Sequence, residues 1–373
     1  MNIVRVSFKC DINKPVLCKE SVPVYLPFKY NILSLKNKSY KTQYNYMHSI
    51  KILFEFFEDQ KINLQLEILK SNFSLILGKI DSLTMYLETK ESKTKDASNP
   101  NSFLTKNNHL CRMRNFLEWC NLYFNNSSND ENRQIESIFN SHIVSFGYNS
   151  SYTSLEKKDI KNILDLAHPH SENNPFVKKN RVRNFVIILL LSETGLRLSE
   201  LLKIKTDDFI RDGRKIYLRI VNRNIDKEDT RKNPPSLKNY YGIRTVGISQ
   251  GTYELIDLYI QQHRKKNQHH SYLFTSDING NPLAKNSVSN IFHIISIKLN
   301  LKFTPHVLRH FFSETMLEFL IEIKKIDMER AKDELRIICG WSINSNMPNL
   351  YTKNYISKLA NNHNQERITC VNS

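Results

Sequence analysis

The chain has 373 residues, enough for two domains that each bury a core, and its 40% hydrophobic and 24% charged residues are ordinary for a soluble globular protein. With 54 Lys and Arg against 37 Asp and Glu, the formal charge is +17, which favours a polyanionic partner, nucleic acid first and an anionic membrane surface second. The longest apolar run, Phe185 to Leu191, falls short of the roughly 20 residues of a membrane span, the opening MNIVRVSFKCDINKP lacks a signal-peptide apolar block, and no glycine-rich nucleotide cradle occurs.

In chain order, residues 1–38 carry Pro15, Pro23 and Pro27 and indicate no fold beyond a short strand at Val4–Phe8. From Ser39, a candidate N-cap, Tyr46, Ile50, Leu53, Phe54 and Phe57 recur at steps of three and four, which predicts an amphipathic helix. A second helix is predicted over 63–77. A third carries Leu110, Met113, Leu117, Cys120 and Phe124 on one side, after the polar loop ETKESKTKDASNPNS. Residues 39–135 therefore read as a small helical domain, its end loop-like at NNSSNDENRQ, and 136–153 as a linker.

A second domain is expected over 154–360, with Ser154 as a candidate cap of its first helix, and 361–373 as a frayed tail. RVRNFVIILLLSE reads as a buried helix. KIYLRIV (215–221) and GIRTVGIS (242–249) alternate and read as paired strands joined by the long basic connection 222–241. Helices follow at about 251–264, 286–299, 306–322 and 328–339, the last stopped by Gly340. The fold class is thus mainly α with a small β-sheet, an α+β chain of two domains.

Several short stretches suit phosphate chemistry. In ETGLRLSELL, Thr194-Gly195 breaks a helix and Ser199 is positioned to cap the next, which holds Arg197 at a turn. Its flat guanidinium matches two phosphate oxygens. In TPHVLRH, His306 and Arg309 lie three apart on one helix face, with His310 adjacent. Downstream, Trp341 follows Gly340, and Tyr351 falls in a polar stretch with Pro348 that reads as an exposed loop. A tyrosine there becomes a nucleophile if neighbouring guanidiniums lower the cost of its phenolate. The six cysteines, Cys10, Cys18, Cys111, Cys120, Cys339 and Cys370, form no C-x-x-C pair and no metal-ligand spacing with histidine, so a reducing setting and no metal are expected.

The order T-G-L-R-x-S-E, basic β-hairpin, H-x-x-R-H, G-W, Y-T resembles that of the tyrosine recombinases, the phage integrase family. The resemblance spans about 155–360, and SYLFTSDINGNPLAKNSVSNIF is similar to the segment the family carries ahead of its H-x-x-R helix. It implies a helical, SAM-like core-site DNA-binding domain in 39–135 and a catalytic domain in 154–360. Arg197 and Arg309 would clamp the scissile phosphate, each donor worth about 3–4 kcal/mol in such sites. His306 would bind the phosphate or help move the tyrosine proton. Trp341 stands where most members carry a second histidine, and its indole N–H donates but cannot shuttle a proton. Tyr351 matches the nucleophile, with Tyr355 the weaker alternative. Glu200 and His310 are implied to orient or pack these groups. The general-acid lysine precedes a strand of the type R-x-V-P-L, matched loosely by IRTVGI, so Lys238 fits best and Lys232 next.

Diffuse backbone contacts to DNA are expected from Lys106, Arg112 and Arg114, from Lys178, Lys179, Arg181 and Arg183, and from Lys227, Arg231 and Lys232. The implied reaction passes through a 3′-phosphotyrosyl link and needs no metal, cofactor or ATP. The implied partner is double-stranded DNA with a specific target site, bound by a homotetramer on two sites and by a monomer when free. The implied setting is cytoplasmic, at the nucleoid, with no membrane. A type IB topoisomerase, or a family member with a dead site that only binds DNA, fits the same residues.

Overall fold

The computed structural model describes all residues except 9–11, 93–99, 126–128, 145–154, 225, 233, 238–239 and 372–373. The chain forms two compact units, Met1–Asn149 and Ser150–Ser373.

The first unit opens with a hairpin. Strand β1 (Asn2–Phe8) pairs antiparallel with β2 (Ile12–Lys19), from Asn2 opposite Cys18 to Phe8 opposite Ile12, and β3 (Val22–Pro23) pairs on the far side of β2. Helices α1 (Tyr25–Leu33), α2 (Tyr40–Asp59), α3 (Leu64–Leu69), α4 (Phe73–Leu77), α5 (Ile80–Ser92), α6 (Pro100–Asn125) and α7 (Asn129–His142) follow. Residues 1–38 are not a separate segment: Leu17, Leu26 and Tyr30 lie in the same apolar core as Leu53, Phe57 and Phe116. Ser39 caps α2 as expected, its side chain accepting from the Thr42 N–H.

Two sequence expectations fail in this unit. The single helix over 63–77 is two short ones, because Ser71 adopts a left-handed φ of 59° and the chain restarts at Asn72. The stretch read as loop and linker contains α7. Of its three apolar residues, Ile135 and Phe139 are one turn apart and fully buried and Ile138 packs beside them, which suffices to dock a polar helix.

The second unit begins with α8 (Lys157–Ala167). Its N-cap is Glu156, whose N–H donates to Asp159 Oδ2, while Ser154 lies outside the described residues. Helix α9 (Lys178–Thr194) is buried nearly all round and ends at Gly195 in the left-handed conformation. A short α10 (Leu198–Leu201) leads to a three-stranded antiparallel sheet of β4 (Phe209–Asp212), β5 (Lys215–Ile220) and β6 (Arg244–Ile248), with β5 central. The two strands anticipated from alternation are β5 and β6; β4 is too short and polar to announce itself.

Helices α11 (Gln250–Leu258), α12 (Lys285–Leu299), α13 (Pro305–Glu318) and α14 (Met328–Cys339) follow, α11 and α13 each continuing into a π turn. Gly340 stops α14 with a φ of 62°. The last element, α15 (Met347–Val371), carries Tyr351 on a helix where a loop was expected and takes in much of the expected frayed tail. Pro348 sits in its first turn, where a missing N–H costs nothing. A core of α9, the sheet and α12 occupies the body of this unit. A smaller cluster of Leu317, Leu335, Cys339, Trp341, Tyr351 and Tyr355 joins α13, α14 and α15.

Candidate active site

The last carbonyls of a helix have no partner within the helix and carry its negative dipole end. At the C-terminus of α14 three successive carbonyls are each taken by a different arginine. Arg244 Nε donates to Ile338 O at 2.7 Å, Arg309 Nη2 to Cys339 O at 2.5 Å, and Arg197 Nη2 to Gly340 O at 3.0 Å. Arg309 Nη1 also donates to Gly195 O at 2.5 Å, which ties α13 to the turn before Arg197. Both glycines are required by their surroundings. A Cβ on Gly195 would lie 2.1 Å from the Phe312 ring, and one on Gly340 would lie 2.6 Å from Arg244 Nη1.

Glu200 closes the cluster. It is buried, and its carboxylate accepts from Arg197 N at 2.9 Å, Arg197 Nη1 at 2.8 Å, Arg244 Nη1 at 3.2 Å and Arg244 Nη2 at 3.1 Å. Arg197 is itself the N-cap of α10; Ser199, the expected cap, lies inside that helix. Burial opposes ionisation of Glu200, but the guanidiniums of Arg244 and Arg197 outweigh it and hold the carboxyl below its ordinary range. Three guanidiniums face one carboxylate, so the site carries an excess of positive charge suited to an anion. Arg309 is only 5% exposed, and burial lowers its proton affinity.

Helix α13 supplies a polar stripe at i, i+3, i+4 and i+7: His306, Arg309, His310 and Ser313. Thr304 caps it and Pro305 occupies its first position, so His306 lies exposed in the first turn, where helix N–H groups also attract anions. The rings of His306 and His310 meet edge to face at 4.3 Å.

Tyr351 is 1% exposed on α15, not on an open loop. Its ring stacks on Trp341 at 5.8 Å and 10°, and the Arg309 guanidinium lies over Trp341 at 5.4 Å. The Tyr351 hydroxyl and His310 Nδ1 are 2.7 Å apart. Burial pushes the phenol well above its usual range, against the pull of Ser313 and Arg309. Burial, His306 and Arg309 together lower His310 to about 4, so its imidazole is neutral near pH 7, and in the tautomer with the proton on Nε2 its Nδ1 is an acceptor for the phenol. His310 thus touches the tyrosine directly, rather than packing behind the site. Tyr355 is also buried, one turn further along.

The basic connection 222–241 is fixed to the body by charge. Arg223 makes a two-pronged contact with Asp208 at 2.6 and 2.8 Å, and Arg231 does so with Asp229 at 2.7 Å. Lys203 Nζ reaches Asp229 at 2.7 Å, and the Tyr272 hydroxyl donates to Asp226 at 2.7 Å. Lys232 is exposed, as is Lys227, whereas Lys238 falls outside the described residues.

Several residues expected on DNA are committed to the protein itself. Lys106 is 5% exposed and bonded to Glu88. Arg181 donates to the carbonyls of Pro169, Ser171, Asn174 and Phe176. Arg183 is buried against Thr275 O and Asn184, and Arg231 is taken by Asp229. Lys179 pairs with Asp277, Arg114 with Asn140 and Glu118, and Arg112 reaches Ser49, all at least partly open to solvent. Lys178 is exposed. Arg244 is the site residue that motif reading passed over. Its signal was the arginine opening the R-x-V strand.

The phage integrase family model matches residues 153–352, more than half of the chain. The chain belongs to the phage integrase family, the tyrosine recombinases. It is 28% identical over 162 residues to transposase A from transposon Tn554 of Staphylococcus aureus, covering 42% of this chain and 39% of that protein. It is 29% identical over 175 residues to tyrosine recombinase XerA of Pyrococcus furiosus, covering 46% of this chain and 51% of that one. The chain therefore spans about two fifths to half the length of these curated relatives. In fold, this tyrosine recombinase is similar to the XerH site-specific recombinase bound to difH substrate, with TM-score 0.54, 18% identity and coverage of 85% and 78% of the two chains. It is also similar to the Tn1549 transposon integrase in complex with transposon right end DNA, with TM-score 0.52, 15% identity and coverage of 84% and 99%.

Proposed function

We propose that this tyrosine recombinase is a site-specific DNA recombinase that cuts and rejoins DNA for the integration or excision of a mobile element. The observation that carries this reading is the anchoring of Arg197 and Arg309 on adjacent carbonyls, Gly340 O and Cys339 O, beside Trp341 and the ring of Tyr351. Donors fixed in advance on backbone carbonyls need no reorganisation when a phosphate arrives, which is what transition-state stabilisation requires.

In the reaction, Arg197 and Arg309 hold the non-bridging oxygens of a DNA phosphate, and His306 donates to it from the first turn of α13. Tyr351 Oη attacks phosphorus and the 5′ oxygen leaves. A lysine of the 222–241 connection, Lys238 or Lys232, supplies the proton to that oxygen. The product is a 3′-phosphotyrosyl link whose bond energy lets a 5′-hydroxyl reverse the step without ATP. The positive charge comes from guanidiniums, so cutting persists in EDTA. Exchange between two sites needs four cuts, hence four protomers on two target sites of double-stranded DNA. Of the cations expected on DNA, Lys178, Lys227 and Lys232 are exposed and follow the DNA backbone in this reading.

The test is a nicked suicide substrate built from DNA flanking the gene, incubated in EDTA and run on a denaturing gel. A covalent adduct is expected with the wild type and absent with Tyr351→Phe. An adduct that persists in the variant moves the nucleophile elsewhere, with Tyr355 next to be tried. Absence of any adduct with the wild type rejects the reading.

A further inference from the structure

Outside the cluster already described, the second unit exposes Phe319, Ile323, Ile337 and Ile343, and nothing in the structure shows what covers them. A cavity of about 620 Å³ in the first unit is lined by charges of both signs, and its Lys19 and Glu58 already pair with each other. The contact at the tyrosine hydroxyl carries further.

We propose that His310 is a catalytic residue, the base that takes the Tyr351 proton as the tyrosine attacks DNA. This rests on the recombinase reading above. The geometry is that of a nucleophile and its base: His310 Nδ1 lies 2.7 Å from the Tyr351 hydroxyl, within the reach needed for direct proton transfer. With Trp341 stacked on Tyr351, the neighbouring position offers only an N–H donor, whereas the His310 imidazole reaches the hydroxyl. Its position on α13 also divides the labour of the motif. His306 is exposed at the mouth of the site, one turn before buried His310.

Proton and bonds balance as follows. The Tyr351 Oη–P bond forms while the phenol proton passes to His310 Nδ1. The P–O5′ bond breaks, and the lysine acid protonates the departing oxygen. Religation returns the His310 proton to Tyr351. At rest, burial, aided by His306 and Arg309, keeps the imidazole neutral, and burial keeps the phenol protonated. A phosphate settling on Arg197 and Arg309 offsets the guanidinium charge and raises the proton affinity of His310. The base is therefore armed by DNA.

The experiment uses the full chain and the nicked flanking-DNA substrate in EDTA, measuring single-turnover adduct formation. His310→Asn keeps an acceptor toward Tyr351 but no base, and is expected to melt near the wild type while cutting about 10²–10⁴-fold more slowly. His310→Gly is expected to regain rate with added imidazoles, in proportion to their basicity. A purely structural role would show no such dependence. A 5′-bridging phosphorothiolate, whose thiolate leaves without a proton, is expected not to restore His310→Asn. The inference is overturned if His310→Asn cuts within about threefold of the wild type, if imidazoles fail to rescue His310→Gly, or if the phosphorothiolate restores the rate. In each of these cases wild-type adduct with none from Tyr351→Phe leaves the recombinase reading standing. A wild type that forms no adduct overturns both.

Discussion

Glu200→Gln removes the only carboxylate that the described contacts place among three guanidiniums. The side chain is almost fully enclosed and accepts four hydrogen bonds, at 2.8, 2.9, 3.1 and 3.2 Å. Glutamine keeps one carbonyl oxygen but turns an NH₂ toward groups that only donate, leaving like charges unscreened. Breaking a buried ion pair from one side costs about 3–5 kcal/mol. For a unit of this size each kcal/mol is worth about 2–4 °C, so a fall of about 6–20 °C is expected. The assay is thermal melting followed by Trp341 fluorescence in a Trp119→Phe background, the chain having 2 tryptophans.

Two further readouts belong to the same variant. A carboxyl held below its ordinary range stabilises fully above that range and loses its contribution as pH falls through the folded value. The gap between wild type and variant therefore narrows below about pH 4. Inorganic phosphate, which the guanidiniums bind better without Glu200, is expected to stabilise the variant more than the wild type. A loss under about 2 °C, with no difference in the phosphate response, would refute the view that Glu200 balances this cluster.

Gly340→Ala forces a left-handed alanine, at about 1–2 kcal/mol, and drives its Cβ into Arg244. DNA cutting is expected to fall by more than the melting shift explains, and a variant that cuts normally would show Arg244 to be dispensable. In Asp229→Asn the connection 222–241 loses its tie to Lys203 and Arg231. Burial opposes ionisation of Asp229, yet Arg231 and Lys203 hold it at about 2. A depression of that size contributes about 2 kcal/mol above pH 4, lost as pH falls toward 2, so the variant lacks this acid limb in pH-dependent melting. Phe139→Ala in α7 is expected to cost about 3–5 kcal/mol in the first unit and leave the Trp341 transition unmoved. A cost below about 1 kcal/mol would mean that 129–142 behaves as the loop and linker its composition suggests.

What could be read from the residues was local. Apolar spacing located α2, α6, α9, α12, α13 and α14, and alternation located β5 and β6, because each pattern lies within the element that obeys it. Arg197, His306, Arg309 and Tyr351 were singled out as candidates by their order along the chain. The rest depends on what meets what. Nothing local says that Arg244 and Glu200 pair, or that His310 points at Tyr351, since the partners come from other elements. Phe139 and Ile135 look like isolated apolar residues in a loop until α6 is beside them. Lys106, Arg183 and Arg231 count as positive charge in a composition, yet the folded chain encloses each with an acceptor.

The end of α14 works as a keystone laid late. Arg197 and Arg244 meet their carbonyl acceptors across 143 and 94 positions of chain, and Arg309 across 30. A ribosome that stalls before residue 338 has already made every arginine of the site but none of these three carbonyls. Contacts this distant also form late when a chain closes its loops in turn. A chain cut short before the end of α14 therefore leaves Arg197, Arg244 and Arg309 without the carbonyls that gather them.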